Sequence, residues 1–368
     1  MPSSSSTAVP VIPTLWAPFP SAINPGQERA ARANVDWLDR HRICASPREQ
    51  AWIRASCPEG LAARGYPLAE PERLRWATDF VSLLFAIDDS YCDEGPLVNH
   101  PADLCRIVTQ LQWVVNTPHA RIADLTPIAS GLRDLRLRLD ELAHPVQVAR
   151  WVATMRTYLL TQTWLAHNRS AGVVPSLNDY LLVRTESGGI KPFTAIHDVM
   201  GGYVLPERDW TSSPVTIYAE AFDLIICAEN DLVSYYKEAV TGTSDRQNFV
   251  DIVMAERGCA IEEAVAEVVL LHDRTMRLYL TLRTQIEAHA GTELRRWLDT
   301  SDAWLRGEHE WSLEARRYTG RNGVRRPAHH ASRHAHHGLR PEPALSRRAH
   351  LLVERARRLT QSDRNPPK

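Results

Sequence analysis

The chain has 368 residues, 44% of them hydrophobic, which allows one large domain or two ordinary ones with a sizeable core. The formal net charge of −1 hides an asymmetry: from Thr319 to Lys368 eleven Arg and one Lys face three acids, a balance of +9 that leaves −10 for the preceding 318 residues. No secretory signal pattern and no apolar run of about eighteen residues is present, so the expectation is a soluble, cytoplasmic protein without a membrane span. The six cysteines lack CxxC or CxH spacing, which argues against a zinc site and gives no sign of a disulfide framework.

Residues 1–25 carry a Ser run and six prolines and are expected to be irregular, an N-terminal strap leading into the first helix. From about Gln27 to Arg316, Ala, Leu, Arg and Glu dominate and apolar residues recur every three or four positions. Prolines fall between these runs, and no β alternation or hairpin turn signal interrupts them. The spacing predicts an all-α domain of ten to twelve helices over residues 26–318. Beyond it, residues 319–368 turn to Arg, His, Pro and Ser, a composition expected of a disordered extension. That tail has neither regular metal-ligand spacing nor interleaved aromatics, so no nucleic-acid partner is expected.

Two predicted helices place polar residues on an otherwise apolar stripe. In Pro71–Tyr91, Ala77, Phe80, Leu84 and Asp88 follow helical spacing. Gly95-Pro96 ends that run, so Asp88, Asp89, Asp93 and Glu94 crowd the end where the helix dipole disfavours anions. A lone Asp-Asp pair is ordinarily a solvated helix end, but four acids held against their repulsion suggest a hard-cation site. In Val215–Val240 the stripe Ala219, Phe222, Ile226, Asn230, Ser234, Glu238 turns from apolar to polar along the helix. An amide oxygen, a hydroxyl and a carboxylate at i, i+4 and i+8 offer three oxygen ligands and no His or Cys, which suits Mg²⁺ better than Zn²⁺.

These residues resemble the bacterial class I terpene synthase family. Asp88, Asp89 and Asp93 match its aspartate-rich motif, with Glu94 an alternative third acid. Asn230, Asp231, Ser234, Lys237 and Glu238 match its N-D-x-x-S-x-x-(R/K)-E triad in full. Arg184, 46 residues before Asn230, is similar to the family's diphosphate-sensing arginine, and Arg317-Tyr318, 79 residues past Glu238, to its Arg-Tyr pair. Trp304-Leu305-Arg306-Gly307-Glu308-His309-Glu310-Trp311 resembles its W-x-x-G-N-x-x-W segment, with Glu308 in place of Asn.

The resemblance implies a single α-helical bundle enclosing an apolar cavity. It further implies ionisation of a linear prenyl diphosphate assisted by three Mg²⁺ ions. Asp88, Asn230, Ser234 and Glu238 would be metal ligands, with Asp89 and Asp93 acting from behind or on closure. Arg184, Lys237, Arg317 and Tyr318 would bind the diphosphate. Arg184, Ser187 and Gly188 match the R-x-x-(D/S)-G helix break whose carbonyl triggers ionisation in relatives. Among Phe80, Trp76, Phe85, Trp304 and Trp311, the pair Phe80 and Trp311 is preferred for the cation–π cavity wall. The expected substrate is farnesyl diphosphate and the product a cyclic sesquiterpene, with geranylgeranyl diphosphate as the alternative. A chain-elongating prenyltransferase and a non-catalytic helical binding protein are the rival classes. The expected partner is the small-molecule diphosphate, with a homodimer left open.

Overall fold

The computed structural model describes residues 15–92, 95–121, 125–241 and 246–319, without the side chains of 236–241 and 319. Asp93, Glu94 and the basic tail beyond 319 lie outside the described residues, as do the side chains of Lys237 and Glu238. Residues 15–26, the described end of the strap, contain no helix.

Six helices begin with proline at the first position, where the missing N–H is no loss and φ is already helical. They are α2 (Pro47–Ala55), α3 (Pro58–Gly65), α4 (Pro71–Ile87), α5 (Pro101–Asn116), α6 (Pro127–Leu142) and α7 (Pro145–Ala171), preceded by α1 (Gln27–His41). A π-helical turn, Asp88–Cys92, continues α4. After α8 (Leu177–Ser187) come three pieces of four or five residues, α9 (Lys191–Thr194), α10 (His197–Gly201) and α11 (Glu207–Trp210). Long helices return with α12 (Ser213–Thr241), then α13 (Phe249–Arg257), α14 (Ile261–Glu287), α15 (Thr292–Glu314) and the short α16 (Arg316–Thr319). Twelve of these have eight residues or more, and the described residues contain no strand. The shorter pieces are what the sequence reading did not resolve.

Side chains cap several starts: Ser46, Thr126, Ser176 and Asn248 each accept an amide hydrogen from the first turn that follows. In the packing, α12 lies along α14, α5 along α7, α15 along α3, and α4 against α1, α3 and α6. Trp37, Trp76, Trp151, Trp297 and Trp304 are fully buried in one continuous core.

The contact between α3 and α15 is close because glycine stands on both sides of it. A Cβ on Gly65 would lie 2.5 Å from the Trp304 ring, and one on Gly307 would lie 2.9 Å from the Arg64 carbonyl carbon. Gly307→Ala is therefore expected to cost about 1–3 kcal/mol through overpacking. Thermal denaturation should show a Tm lower by several degrees; an unchanged Tm would mean that the two helices can separate freely.

Candidate active site

Helices α4, α7, α8, α12, α15 and α16 surround a cavity of about 210 Å³. From α4 and the π turn that continues it, Val81, Leu84, Phe85 and Asp88 line it, spaced as one helical stripe. From α12 come Ile226, Cys227, Asn230, Asp231 and Ser234. Asp88 and the Asn230–Ser234 row thus face the same space from two helices.

At the Asp88 side the α-helix widens into the π turn, a deformation often found at functional sites. Buried Arg317 donates to Asp88 Oδ2 at 3.1 Å and pairs in fork geometry with Asp89, at 2.8 and 3.0 Å. Its guanidinium lies over the Phe85 ring, 4.9 Å from the centroid. Burial works against the Arg317 charge, but Asp89 and Asp88 more than offset it and hold its pKa above the ordinary arginine range. Asp89 faces Arg317 and is not part of the cavity wall.

At the other side Asn230 stands between one donor and one acceptor. Arg184 Nη2 donates to its Oδ1 at 2.8 Å, and its Nδ2 donates to the Tyr318 hydroxyl at 2.9 Å. The next residue, Asp231, turns inward and is 2% exposed. It accepts hydrogen bonds from Arg184 Nε at 2.8 Å, the Tyr180 hydroxyl at 2.8 Å and the Phe249 amide at 2.9 Å. Asn248, the cap of α13, donates to the Asp231 carbonyl at 2.9 Å and to Ser234 Oγ at 3.3 Å. Burial raises the Asp231 pKa, with Arg184 opposing it.

The helix break also lies at the wall. Helix α8 ends at Ser187, the Gly188 amide donates to the Arg184 carbonyl at 2.9 Å, and Gly189 has φ +74°. That left-handed value favours glycine. At Gly188 a Cβ would sit 2.9 Å from Cys227 Sγ. Gln162 from α7 donates to the Ser187 carbonyl at 3.1 Å, while Ser187 Oγ is buried without a hydrogen-bond partner.

Trp311 lines the cavity, stacked on Phe85 at 5.8 Å, with its indole N–H held by the Ser56 and Cys57 carbonyls. Phe80 does not line it. That ring is 0% exposed and packs on Trp76, Trp151 and Phe193, because one residue's step along a helix turns the side chain about 100° from the Val81 direction. Trp76 is likewise core, donating to the Leu135 carbonyl at 2.9 Å. Phe85 and Trp304 do reach the cavity, joined by Tyr158, Tyr180 and Phe193, which sequence reasoning missed.

The donor set fits a hard divalent cation: Asp88, Asn230 and Ser234 present a carboxylate, an amide and a hydroxyl oxygen, while the Cys227 thiol on the same wall donates to the Arg184 carbonyl and burial pushes its pKa up to about 12, which disfavours the thiolate. Among the described residues no three His, Cys, Asp or Glu converge on one point, in keeping with ligands divided between two helices. No described helix is long and apolar enough to cross a membrane.

Residues 79–277, which contain both motifs, match the model of terpene synthase family 2, C-terminal metal binding. The chain belongs to the terpene synthase family. It is 41% identical over 315 residues to the (+)-(1(10)E,4E,6S,7R)-germacradien-6-ol synthase of Streptomyces pratensis, covering 86% of this chain and 88% of that one. It is 29% identical over 308 residues to the 4-epi-cubebol synthase ((2E,6E)-farnesyl diphosphate cyclizing) of Streptosporangium roseum, covering 84% and 92%. The crystal structure of the SVS_A2 protein from ancestral sequence reconstruction superposes with a TM-score of 0.77 at 31% identity, over 82% of this chain and 90% of that one. The protein is a class I terpene cyclase with the all-α fold of that family.

Proposed function

We propose that this terpene synthase ionises farnesyl diphosphate with Mg²⁺ and closes the chain to a cyclic sesquiterpene. The observation that carries the reading is that Asp88 and the Asn230–Ser234 row line one cavity together with the cations Arg184 and Arg317 and with apolar and aromatic side chains such as Leu84, Phe85, Trp304 and Trp311. The farnesyl choice is supported by the cubebol synthase relative, whose name states that substrate.

Three Mg²⁺ ions held by Asp88 and by Asn230, Ser234 and Glu238 would set positive charge against the departing diphosphate. Arg184, Arg317, Tyr318 and Lys237 donate hydrogen bonds to its oxygens, charge-assisted for the three cations. In the structure Arg184 and Arg317 rest on Asn230 and on Asp88 and Asp89, so each guanidinium already stands beside the oxygens it would leave for phosphate. The break at Ser187 and Gly188 supplies backbone dipoles at the cavity wall, where ionisation begins. Phe85, Trp304 and Trp311 on the cavity wall would shield the cation from bulk water and stabilise its charge through their π systems.

Incubation with geranyl, farnesyl or geranylgeranyl diphosphate and Mg²⁺, followed by analysis of the organic extract, tests this. Cyclic products are expected, foremost from farnesyl diphosphate. A preference for geranylgeranyl diphosphate would shift the assignment to a diterpene cyclase. Longer linear diphosphates on adding isopentenyl diphosphate would replace it with chain elongation. Chelation by EDTA is expected to stop diphosphate release, and excess Mg²⁺ to restore it; release unaffected by EDTA would remove the metal from the account.

A further inference from the structure

We propose that Glu308 holds a water molecule at the cavity wall, and that this water captures the final carbocation, so that the principal product is a terpene alcohol. The proposal rests on the cyclase reading above and names the fate of its last intermediate.

Glu308 lies on α15 between Trp304 and Trp311, at helical spacing with both, and all three line the cavity. It is 3% exposed, yet neither carboxyl oxygen has a hydrogen-bond partner. Buried polar groups are ordinarily satisfied, so an exception on a reaction cavity calls for a ligand or a chemical role. The neighbouring acid makes the contrast plain. Glu229 is also buried, but it is bonded to His309 Nδ1 and lies 4.0 Å from His272 Nε2.

Burial and the nearby Glu229 both disfavour a charge on Glu308, with Arg184 only a partial offset. Burial without a hydrogen-bonded cation favours the protonated form, which carries one O–H donor and free acceptor capacity. Neutrality also matters chemically. A carboxylate in that position would collapse onto the cation as an ester, whereas the acid is a poor nucleophile. A neutral donor and acceptor suits water, which makes about three hydrogen bonds when buried. The cavity of about 210 Å³ far exceeds the roughly 10–15 Å³ that one water needs.

In the capture step a water lone pair forms the C–O bond to the cationic carbon. One proton of the resulting oxonium leaves to an oxygen of the released diphosphate, and Glu308 ends as it began. It acts as a positioning residue, since the water and not the carboxyl touches the reacting carbon.

The test compares the wild type, Glu308→Gln and Glu308→Leu with farnesyl diphosphate and Mg²⁺ in water labelled with heavy oxygen, reading diphosphate release and the labelled alcohol as a share of total product. The wild type is expected to give labelled alcohol as its main product, and Gln, neutral with a donor and an acceptor, to retain it. Leu should still consume substrate while the alcohol share falls about tenfold in favour of hydrocarbons, the scale of one lost hydrogen bond. A hydrocarbon as the main wild-type product would overturn the proposal, as would an undiminished alcohol share in Glu308→Leu. If the Leu variant does not fold, Glu308→Met, closer in shape, is read in the same way, and an undiminished alcohol share from it overturns the proposal. Without diphosphate release from the wild type the cyclase reading itself falls; release with hydrocarbon alone removes only the role of Glu308.

Discussion

Asn230→Ala is expected to lower turnover by at least about 10²–10³-fold, the scale of removing one group that stabilises charge in a transition state, while the fold survives. Asn230 is half-buried on the cavity wall, and its amide links Arg184 to Tyr318 across the site. Truncation removes a proposed metal ligand and loosens both diphosphate donors together. It leaves no buried charge alone, because Arg184 keeps its bonds to Asp231. Loss of two side-chain hydrogen bonds at a half-buried site costs about 1–3 kcal/mol, within what a domain of this size tolerates. The measurements are diphosphate release and the far-UV circular dichroism melt. Near-normal product would remove Asn230 from the metal site.

One residue further on, the expected failure changes kind. Asp231→Ala is predicted to destabilise the protein by about 3–5 kcal/mol, the cost of stripping the partner from a buried charge. From α12 the side chain holds two further elements, α8 through Arg184 and Tyr180 one turn before it, and α13 through its first amide. Without it the Arg184 guanidinium loses its main counter-charge in a site where burial already works against ionisation. Activity should fall too, but through misplacement of Arg184 and a lower Tm, and Asp231→Asn should recover part of the stability because it still accepts hydrogen bonds. A variant that melts like the wild type would show that the Arg184–Asp231 pair does not hold α8 to α12.

The contrast between these neighbours bears on what a sequence can reveal. The triad pattern named Asn230 and Ser234 as inward residues, and the predicted helix Val215–Val240 lies inside the observed Ser213–Thr241. The first helix begins at Gln27, close to where the sequence pattern turns helical, because the proline-rich strap ends at Pro25. Helix α4 was harder. Twelve of its seventeen residues are buried, so apolar spacing does not distinguish the face toward the cavity from the face toward α6 and α7. A stripe through Phe80 and one through Val81 and Phe85 look equally apolar, and only packing separates them. The π turn at Asp88 was invisible for another reason: its acids are held by Arg317, which is 228 and 229 residues away in the chain. Glu308 stood out as a departure from the family pattern, but its lack of a partner depends on what surrounds α15. Tyr158 and Phe193 carry no local signal, since an aromatic on a helix is ordinarily core.

Asp88 and the Asn230–Ser234–Glu238 row are expected to hold divalent ions around one diphosphate. Diffraction from crystals of the protein grown with Mn²⁺ and inorganic diphosphate, recorded at the manganese edge, tests it most directly. Anomalous peaks are expected at about 2.0–2.3 Å from an Asp88 carboxylate oxygen and from the Asn230 and Ser234 oxygens, close to the oxygen-ligand distances of small hard cations. Arg184 and Arg317 should then have moved onto the diphosphate. Peaks confined to surface acids, with Asp88 still on Arg317 and Asn230 still on Arg184, would contradict it.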